Sequence, residues 1–478
     1  MENLIGRSWI PSKSGRTINI VNPATNEIID TVPDSNTEDV NEAVNAARKG
    51  FQEWSKKSIY ERGEILLKFN ELVKENKNRL AKLLSDETGK PLKEALGEIG
   101  NVDIGVRAFV ERAKHEYNYS IPAGQELGQE NTMQITVQAP LGVVAAIIPF
   151  NFPSDLFCQK VPSALMMGNA VILKPSGHNP LTLCEYAKLL IEAGVSAGAI
   201  NVINGPGAEA AQALASNPGV NLVSLTGSTI AGMETMAICS KNLTHTMLEL
   251  GGNDAFILDK DGDVDLAVEE TIWGRLYNTG QVCCASKRFL IQEEVKDEFI
   301  NKLLTRIGKI KFGLPSDPNT EFGCLISEDA AKNVEEQVNA TISSGAKLVC
   351  GGKRKGAFYA PTILDNVTKD MDVAKDMEIF GPVISIIPFK DINEAVEIAN
   401  QSSFGLCGSI ISRDINKAMK VANELECGGA IINGASFYRS FEMPFGGWKH
   451  SGIGNEGVLS TLKEMSRTKT IILKNILK

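Results

Sequence analysis

The stretch GVVAAIIPFNFPSDLFCQKVPSALMMGNAVILKPS, residues 142–176, sets two short apolar runs on either side of a helical segment. The same alternation continues through LCEYAKLLIEAG, AINVING, EAAQALASN and NLVSLTG. A β-α-β rhythm of this kind predicts a parallel sheet with helices on both faces. A second series begins near DAFILD (254–259) and runs to about residue 435. We therefore predict an α/β fold with two doubly wound parallel-sheet domains.

Two segments fall outside this rhythm. Residues 117–140, YNYSIPAGQELGQENTMQITVQAP, carry Pro and Gly turn signals and end in period-two alternation, which is typical of a hairpin-like arm. The last apolar run, KTIILKNI (469–476), follows a helix and has no obvious local partner. Because a strand with a free edge readily pairs with another chain, we expect it to add to the sheet of a second subunit.

The composition argues against several classes of protein. The formal net charge of −9 disfavours a nucleic-acid partner, since phosphate binding needs a basic surface. The 9 scattered cysteines do not form a disulfide framework pattern, and 4 histidines without a CxxC pair argue against a Cys/His zinc site. The longest apolar stretch, residues 141–150, is too short to span a membrane, and the N-terminus lacks a signal-peptide pattern. We expect a cytoplasmic protein with no metal.

Reactive side chains cluster in the loops that follow predicted strands, where parallel sheets bind their ligands. The segment NTGQVCCASKR (278–288) holds the adjacent Cys283 and Cys284, and its pattern alone fits a packed turn, half of a metal site or a nucleophile. Glu249 in LELGGND lies between an apolar run and two glycines, a dry setting that raises a carboxyl pKa and suits a general base. A Glu paired with a lysine would give the same pattern, both here and at Glu378.

Three further loops carry phosphate-type signals. The segment 205–210 matches GxGxxA around Gly207, but no carboxylate follows about 20 residues later, so a tight turn fits equally well. Gly227 and Ser228 open a helix in LTGSTIAG, as a phosphate loop or an ordinary N-cap would. Lys174 ends a buried strand, either as a solvated lysine or as a contact to a cofactor ribose or phosphate.

Taken together and in this order, seven segments resemble the aldehyde dehydrogenase superfamily, and the resemblance spans nearly the whole chain. The matching segments are PFNFP (149–153), LKPS (173–176), LTGSTIAG (225–232), LELGG (248–252), GQVC (280–283), EIFGPV (378–383), and PFGG (444–447) with SGIG (451–454). The resemblance favours the nucleophile among the three interpretations of Cys283.

The resemblance implies a catalytic set and a cofactor, NAD or NADP. Cys283 would attack the aldehyde carbonyl, Asn151 would donate its amide to the developing oxyanion, and Glu249 would activate water to hydrolyse the thioester. The implied cofactor contacts are Lys174 and Ser176 at the adenosine ribose, Gly227 and Ser228 at the pyrophosphate, Glu378 and Phe380 at the nicotinamide ribose, and Gly207 from the GxGxxA match. Gly177 replaces the glutamate that NAD-preferring members carry there, so we expect NADP to be accepted.

The resemblance also indicates where the substrate would bind. Arg439, six residues before Phe445, occupies a position where enzymes for fatty or aromatic aldehydes have a phenyl ring, and a guanidinium there would hold an anionic substrate tail. The alternative is that Arg439 pairs with Glu442 or Asp155. We expect a short, polar pocket, with substrate contacts from Arg107, Phe152, Gln159, Cys284, Arg439 and Phe445.

Several substrates and functions fit this pocket. Candidate substrates are succinate semialdehyde, sulfolactaldehyde, phosphonoacetaldehyde and a phosphorylated glyceraldehyde, with the uncharged lactaldehyde as the alternative. A CoA-acylating relative would tend to lack Glu249, and an inactive homologue would not need Asn151, Glu249 and Cys283 together. A cysteine hydrolase would need a histidine base, and none of the 4 histidines lies in a motif.

The resemblance implies a domain arrangement as well. Residues 1–116 and 139–249 would form a Rossmann-like cofactor domain to which 447–466 return, and residues 250–446 would form the catalytic domain. Residues 117–138 and 467–478 would form the oligomerisation arm of a homodimer or homotetramer.

Overall fold

A computed structural model of the chain describes residues 1–116 and 118–475. Tyr117 and residues 476–478, which the predicted arm includes, lie outside the described residues. The strands, in chain order, are β1 (Asn3–Ile5), β2 (Ser8–Ile10), β3 (Thr17–Val21), β4 (Ile28–Pro33), β5 (Ser120–Ile121), β6 (Thr132–Pro140), β7 (Val143–Ile147), β8 (Ala170–Lys174), β9 (Ile200–Val202), β10 (Leu222–Thr226), β11 (His245–Glu249), β12 (Asp254–Leu258), β13 (Ser286–Gln292), β14 (Lys347–Cys350), β15 (Arg354–Lys355), β16 (Phe358–Tyr359), β17 (Thr362–Asp365), β18 (Val383–Phe389), β19 (Phe404–Gly405), β20 (Cys407–Ile411), β21 (Gly429–Ile432), β22 (Trp448–Lys449), β23 (Gly452–Ile453) and β24 (Ser466–Lys474).

The α-helices alternate with these strands over most of the chain. In chain order they are α1 (Thr37–Trp54), α2 (Ile59–Glu75), α3 (Lys77–Thr88), α4 (Leu92–Lys114), α5 (Pro153–Met166), α6 (Leu181–Ala193), α7 (Ala208–Ser216), α8 (Thr229–Cys239), α9 (Val264–Leu276), α10 (Glu293–Ile307), α11 (Glu328–Ser343), α12 (Ile392–Asn400), α13 (Ile415–Glu424) and α14 (Val458–Glu464).

The first sheet has the strand order β2-β1-β9-β8-β7-β10-β11-β23 within the described residues. The five central strands are β9, β8, β7, β10 and β11, and they are mutually parallel. β1 pairs antiparallel with β9 on one side, and β23 pairs antiparallel with β11 on the other. Alternate residues of β7 face two different clusters, with Val144 and Ala146 in one and Val143 and Ala145 in the other. Both faces are therefore covered by helices, which is why the strand is apolar throughout.

The second sheet has the order β14-β17-β18-β13-β12-β20-β21 in the described part of the chain, and only β14 runs antiparallel to its neighbour there. Ala255 and Ile257 of β12 face one apolar cluster, and Phe256 and Leu258 face the other. The predicted α/β class with two doubly wound sheets is confirmed. The boundaries of the two domains stay a prediction.

The arm forms a separate three-stranded sheet, β24-β6-β5, among the described residues. β24 pairs antiparallel with β6 along its whole length, from Ser466 opposite Pro140 to Lys474 opposite Thr132. The last strand has no local partner, as expected, but a segment more than 300 positions earlier in the same chain pairs with it. The other edge of β24 carries no strand within the described residues, so it can still receive a strand from another copy.

The two sheets place the predicted reactive residues at strand ends. Lys174 and Glu249 are the last residues of β8 and β11, and Thr226 ends β10 between them. Carboxyl ends of parallel strands share one edge of a sheet, so these side chains lie at the edge where ligands bind. Cys283 precedes β13, the central strand of the second sheet.

Candidate active site

Cys283 lies in a tight loop between α9 and β13. Asn278, Thr279 and Gly280 all have positive φ angles, of 50°, 55° and 77°. A Cβ at Gly280 would lie 2.4 Å from the carbonyl oxygen of Gly381, so the close approach of these two loops requires glycine there. The loop is fixed further by the Asn278 side-chain amide, which donates to the carbonyl of Asn151 at 3.0 Å.

Cys283 opens onto a cavity of about 270 Å³. The lining residues come from α4, α5, α9, the Cys283 loop and the segment before PFGG: Asn101, Asn151, Phe152, Asp155, Leu156, Gln159, Trp273, Tyr277, Val282, Cys283, Cys284, Phe437, Arg439, Ser440 and Phe441. Phe152 stacks on Tyr277 with ring centroids 6.1 Å apart, and Phe437 contacts Trp273 at 4.9 Å. The expectation of a polar pocket is therefore wrong in part, because aromatic rings form much of its wall.

Asn151 precedes α5, whose start is held by a buried ion pair. The Lys90 ammonium bonds to the Glu98 carboxylate and donates to the Asn151 carbonyl at 2.9 Å. Glu98 in turn accepts from the backbone N–H of Ser154 at 2.8 Å. The Oδ1 atom of Asn151 is buried and has no hydrogen-bond partner among the described residues. A side-chain amide at a cavity wall, with its main chain clamped in this way, is ready to contact a ligand.

The surroundings of Cys283 favour its thiolate. The pKa of Cys283 is lowered, first by a hydrogen bond from the Cys284 thiol and then by the charges of Lys287 and Arg439, against an opposing effect of burial. The pKa of Cys284 is raised well above its usual value by the same bond and by burial. The thiolate is the nucleophilic form of cysteine, so Cys283 and not Cys284 has the electrostatics of a nucleophile.

Glu249 is a buried carboxyl at the end of β11, 3% exposed. Neither of its side-chain oxygens has a hydrogen-bond partner among the described residues. Burial raises its pKa well above the usual value, and the charge of Glu456 adds to this effect. The structure does not place Glu249 in the lining of the Cys283 cavity, although Cys283 lies close enough to affect its pKa. Its setting is that of a proton acceptor in a dry site.

Arg439 joins a buried cluster of three charges. Its Nη2 atom donates to Glu456 Oε2 at 2.5 Å, and Glu456 Oε1 accepts from Lys160 Nζ at 2.9 Å. Glu456 and Lys160 are both 0% exposed, whereas the Arg439 side chain is 25% exposed and lines the cavity. Pairing with Glu442 or Asp155 is not what the structure shows. The cluster carries two positive charges and one negative charge.

The other predicted substrate residues lie in different places. Phe152, Gln159 and Cys284 line the cavity, but the Gln159 side-chain oxygen already accepts from the N–H of Gly457 at 3.2 Å. Phe445 is buried behind the cavity, with the Arg439 guanidinium 4.1 Å from its ring centroid.

Arg107 is the clearest departure from the sequence-based assignment. It is absent from the cavity lining, and its guanidinium donates to Asp103 at 2.7 Å and Glu71 at 2.9 Å on the helical surface. Its assignment to the substrate site has no support in the structure, because two carboxylates hold it outside the cavity.

The cofactor candidates form a connected group around the carboxyl ends of the first sheet. Lys174 Nζ donates to the carbonyls of Pro175 and Gly205, at 2.8 and 3.2 Å, and faces no carboxylate within hydrogen-bond distance in the described residues. Burial lowers the Lys174 pKa to about 8. A buried cation held only by carbonyls fits a ligand with hydroxyl or phosphate oxygens.

The remaining candidates flank this lysine. Gly207 precedes α7 with φ +132°, and a Cβ there would meet no atom within 4 Å, so the loop lies open. Gly227 donates its N–H to the Glu249 carbonyl at 3.0 Å, and Ser228 caps α8 by accepting from the Ala231 N–H. The N-termini of α7 and α8 lie just after strand ends, an arrangement that is typical of anion-binding sites.

Aromatic contacts tie the Ser176 loop to the Glu378 loop. The Phe150 ring contacts Phe380 at 6.0 Å and His178 at 6.2 Å. Ser176 accepts from the N–H of His178 at 3.2 Å. The residues predicted to contact the adenosine ribose and the nicotinamide ribose therefore lie along one surface. They fit a dinucleotide cofactor.

Gly177 has a steric reason to be glycine. A Cβ at this position would lie 2.8 Å from the Cα of Pro206 and 3.1 Å from the Gly205 carbonyl oxygen. The loop after β9 approaches so closely that a larger residue would push it away.

Sequence reasoning missed four groups of this site. Trp273 and Tyr277 lie at the end of α9 and directly after it, where no local pattern marks them as cavity residues, whereas Phe437 lies in the segment before PFGG that the resemblance places at the substrate site. Glu456 follows SGIG, and only the folded chain brings it to Arg439. Among the described residues, no group of three or more His, Cys, Asp or Glu side chains could hold a metal ion, and no helix is long and apolar enough to cross a bilayer.

Comparisons with known proteins identify the same family over nearly the whole chain. The sequence profile of the Aldehyde dehydrogenase family matches residues 9–471. The chain is 38% identical over 474 residues to a lactaldehyde dehydrogenase of Methanococcus aeolicus, covering 98% of this chain and 99% of that protein. It is 37% identical to a 3-sulfolactaldehyde dehydrogenase of Priestia megaterium, covering 95% of this chain and 94% of that one.

A solved structure agrees with these relatives. The crystal structure of an E. coli NADP-dependent enzyme superposes with a TM-score of 0.95 at 35% identity, covering 99% of this chain and 98% of that chain.

Proposed function

The chain belongs to the aldehyde dehydrogenase family and uses NAD or NADP, and we propose that it oxidises a short aldehyde with an anionic group to the carboxylic acid. The oxidation of an aldehyde follows from the family. The anionic substrate, the residue roles and the use of NADP are the proposal. The observation that supports the substrate class is the net positive charge of the Arg439, Glu456 and Lys160 cluster beside the cavity.

Cys283 begins the reaction in this proposal. Its thiolate sulfur bonds to the aldehyde carbon, and the carbonyl π electrons move onto the oxygen. Asn151 donates its side-chain amide to that oxygen, and the clamp on its main chain keeps the amide in place as the charge develops. A nicotinamide held at the cofactor site by Glu378 and Phe380 would supply the hydride acceptor, and Cys283 would then carry the acyl group as a thioester.

Glu249 completes the reaction by taking a proton from water. The hydroxide equivalent attacks the thioester carbon, the carbon–sulfur bond breaks, and the carboxylic acid and the Cys283 thiolate are released. A carboxyl with a raised pKa is a stronger base than an ordinary one, which suits this step. Water supplies the second oxygen of the acid, so no CoA is needed.

The relatives support an anionic substrate without deciding it. Sulfolactaldehyde carries a sulfonate, whereas lactaldehyde is uncharged, and proteins named for each are similarly close to this chain. In this chain the exposed quarter of Arg439 lies beside Ser440 in the cavity wall, where the anionic end of a short aldehyde would meet a guanidinium. Its bond to Glu456 uses one side of the guanidinium and leaves donors for a ligand.

A paired substrate panel tests this proposal. Succinate semialdehyde is compared with butanal, and sulfolactaldehyde with lactaldehyde, each with NAD and with NADP, by absorbance of the reduced cofactor. We expect kcat/KM to favour the anionic member of each pair by at least about tenfold, since a charged hydrogen bond contributes about 1.5–3 kcal/mol.

Two Arg439 variants separate charge from size. Arg439→Met should lose the preference for anionic aldehydes. Because the Arg439 charge also favours the Cys283 thiolate, this variant should slow the neutral aldehydes too, but by less. Arg439→Lys should keep part of the preference. Equal kcat/KM within each pair for the unmodified enzyme contradicts the anionic substrate and favours lactaldehyde. No turnover in any arm would contradict the assignment of Cys283, Glu249 and Asn151.

Gly177 supports the use of NADP. A glutamate there would repel the 2′-phosphate of NADP, and this chain has no side chain at that position. The same assays with both cofactors test this, and at least equal kcat/KM for NADP is the expected result.

A further inference from the structure

Two adjacent basic residues open the central strand of the second sheet, and they serve different purposes. Lys287 is the extra residue of a β-bulge at the start of β13, because Asp254 pairs with Ser286 and Ala255 pairs with Arg288, and the two basic side chains make different contacts. The Arg288 guanidinium donates to backbone carbonyl oxygens on three surrounding segments, at Asn253, Ala374, Ile398 and Ala399. Arg288 therefore holds the fold together. Lys287 points toward the candidate active site.

Lys287 makes two polar contacts there. Its Nζ donates to the Cys283 carbonyl oxygen at 2.5 Å and lies 3.2 Å from Glu378 Oε1. The lysine side chain is only 2% exposed, so its charge is removed from water and depends on these two groups. Among the described residues it has no other hydrogen-bond acceptor or carboxylate partner.

The two oxygens of Glu378 have different surroundings. Oε1 faces Lys287 and also accepts from the Gly252 N–H at 3.4 Å. Oε2 has no hydrogen-bond partner within the described residues and lies 2.6 Å from the point where a Cβ of Gly251 would be. Oε1 is therefore held by the lysine, whereas Oε2 makes no hydrogen bond within the described residues and can accept one from a ligand.

We propose that Lys287 is a positioning residue that holds the main chain of the nucleophile Cys283 and the cofactor-site carboxylate Glu378 in one arrangement, with a single buried ammonium. This inference rests on the proposed roles of Cys283 and Glu378. One cation would then favour the Cys283 thiolate and turn the free oxygen of Glu378 toward the hydroxyls of a cofactor ribose. Loss of the cation would affect both sites together.

Other charged and titratable groups also face Cys283. Arg439 favours the thiolate together with Lys287, and Glu378 opposes it. The groups that approach from β11, β12, β20 and the same loop are Glu249, Asp254, Cys407 and Cys284. Because Lys287 and Glu378 act on the thiolate in opposite directions, substitution of each gives opposite shifts, which a general loosening of the site would not do.

The test measures the rate of iodoacetamide alkylation of the cofactor-free enzyme across pH, together with NADPH binding by fluorescence titration. We expect Lys287→Met to raise the apparent pKa of the reactive thiol by about one unit, which slows alkylation near pH 7 about tenfold. Lys287→Arg should keep the profile near that of the unmodified enzyme. Glu378→Gln should leave the apparent pKa equal or lower, and both Lys287→Met and Glu378→Gln should weaken NADPH binding.

The outcomes separate this inference from the proposed function. An alkylation profile of folded Lys287→Met that matches the unmodified enzyme overturns the role of Lys287. If Lys287→Met does not fold, Lys287→Gln decides by the same alkylation measurement, and an unshifted thiol pKa in that variant overturns the inference. Unchanged NADPH binding in Glu378→Gln contradicts the proposed role of Glu378 instead. Alkylation that persists at full rate in Cys283→Ser shows that Cys283 is not the reactive thiol, which contradicts the proposed function instead.

Discussion

At the scale of single residues, the buried cluster of Arg439, Glu456 and Lys160 beside the cavity carries a net positive charge. Glu456 is shared between Lys160 and Arg439, so removing Glu456 would leave two uncompensated positive charges, whereas removing either cation would leave one ion pair. The cations of this cluster lower the pKa of Glu249, while Glu456 and, above all, burial raise it. Arg439 thus affects the pKa values of both Cys283 and Glu249, which links the proposed nucleophile and the proposed base electrostatically.

The raised pKa of Glu249 gives a prediction for the pH dependence of turnover. A carboxyl whose pKa is raised is protonated at pH values where an ordinary glutamate is ionised, and only the ionised form accepts a proton. We therefore expect steady-state turnover to rise with pH through the neutral range, while the first turnover, which forms the thioester, is less sensitive. Stopped-flow measurement of reduced cofactor should show a burst at low pH that disappears at high pH.

Glu249→Gln provides the control for this prediction. Without a base, the burst should remain at every pH and the steady-state rate should be low throughout. A steady-state rate in Glu249→Gln that keeps the pH dependence of the unmodified enzyme would contradict the role of Glu249.

The residue scale also shows where sequence reasoning ends. Cys283, Asn151 and Glu249 could be singled out as site candidates because each lies in a short contiguous motif that is recognisable in the sequence alone. Glu456 could not be predicted as the partner of Arg439, because the turn that joins them buries both groups through contacts made elsewhere. The aromatic wall of Trp273 and Phe437 was missed for the same reason, since isolated aromatic residues look like ordinary core.

At the scale of elements, the start of α5 is held by Lys90, which lies between α3 and α4, and by Glu98 of α4. The buried Lys90 and Glu98 side chains are 0% and 1% exposed, and together they satisfy the Ser154 N–H and the Asn151 carbonyl. A carboxylate at a helix N-terminus also interacts favourably with the helix dipole. The position of Asn151 is therefore set by an ion pair that precedes it by more than 50 residues.

Removal of this carboxylate should destabilise the chain and displace the helix start. We expect Glu98→Ala to cost about 3–5 kcal/mol, because the Lys90 charge stays buried without a partner. The double variant Lys90→Met with Glu98→Leu should melt at a higher temperature than Glu98→Ala, since it leaves no unpaired charge. Thermal unfolding followed by circular dichroism measures both, and a double variant less stable than Glu98→Ala would contradict the expectation.

The sequence pattern predicted elements better than their pairing. Asn36 is the N-cap of α1, with its side chain accepting from the N–H groups of Glu38 and Asp39. The β-α-β rhythm predicted both sheets because apolar runs of four to seven residues need two covered faces. The pairing of β24 with β6 was missed, because register between distant strands leaves no local signal.

At the scale of the whole molecule, the homodimer or homotetramer expected from the sequence is still a prediction, and two exposed features suggest where to test it. The outer edge of β24 carries no strand in the described part of the chain. On α8, Ile230, Met233 and Met236 are 71%, 48% and 46% exposed, an apolar row on one side of the helix. Such a patch is typical of a surface that is covered by another subunit.

A charge placed in this row should separate the subunits. We expect Met233→Glu to shift the mass measured by light scattering after size-exclusion chromatography toward the 51.6 kDa of a single chain. Ile415→Glu on α13, whose side chain is 58% exposed, is the matched control and should leave the mass unchanged. An unaltered mass for Met233→Glu would place the interface elsewhere.

The pairing of β23 with β11 has a consequence for how the chain is made. Gly452 and Ile453 close the side of the first sheet that ends at Glu249, and β24 then joins β6 across more than 300 positions. During synthesis, the first sheet therefore lacks β23 until almost the whole chain has left the ribosome. Until residue 453 emerges, β11 is an open edge that is able to pair wrongly with a neighbouring nascent chain.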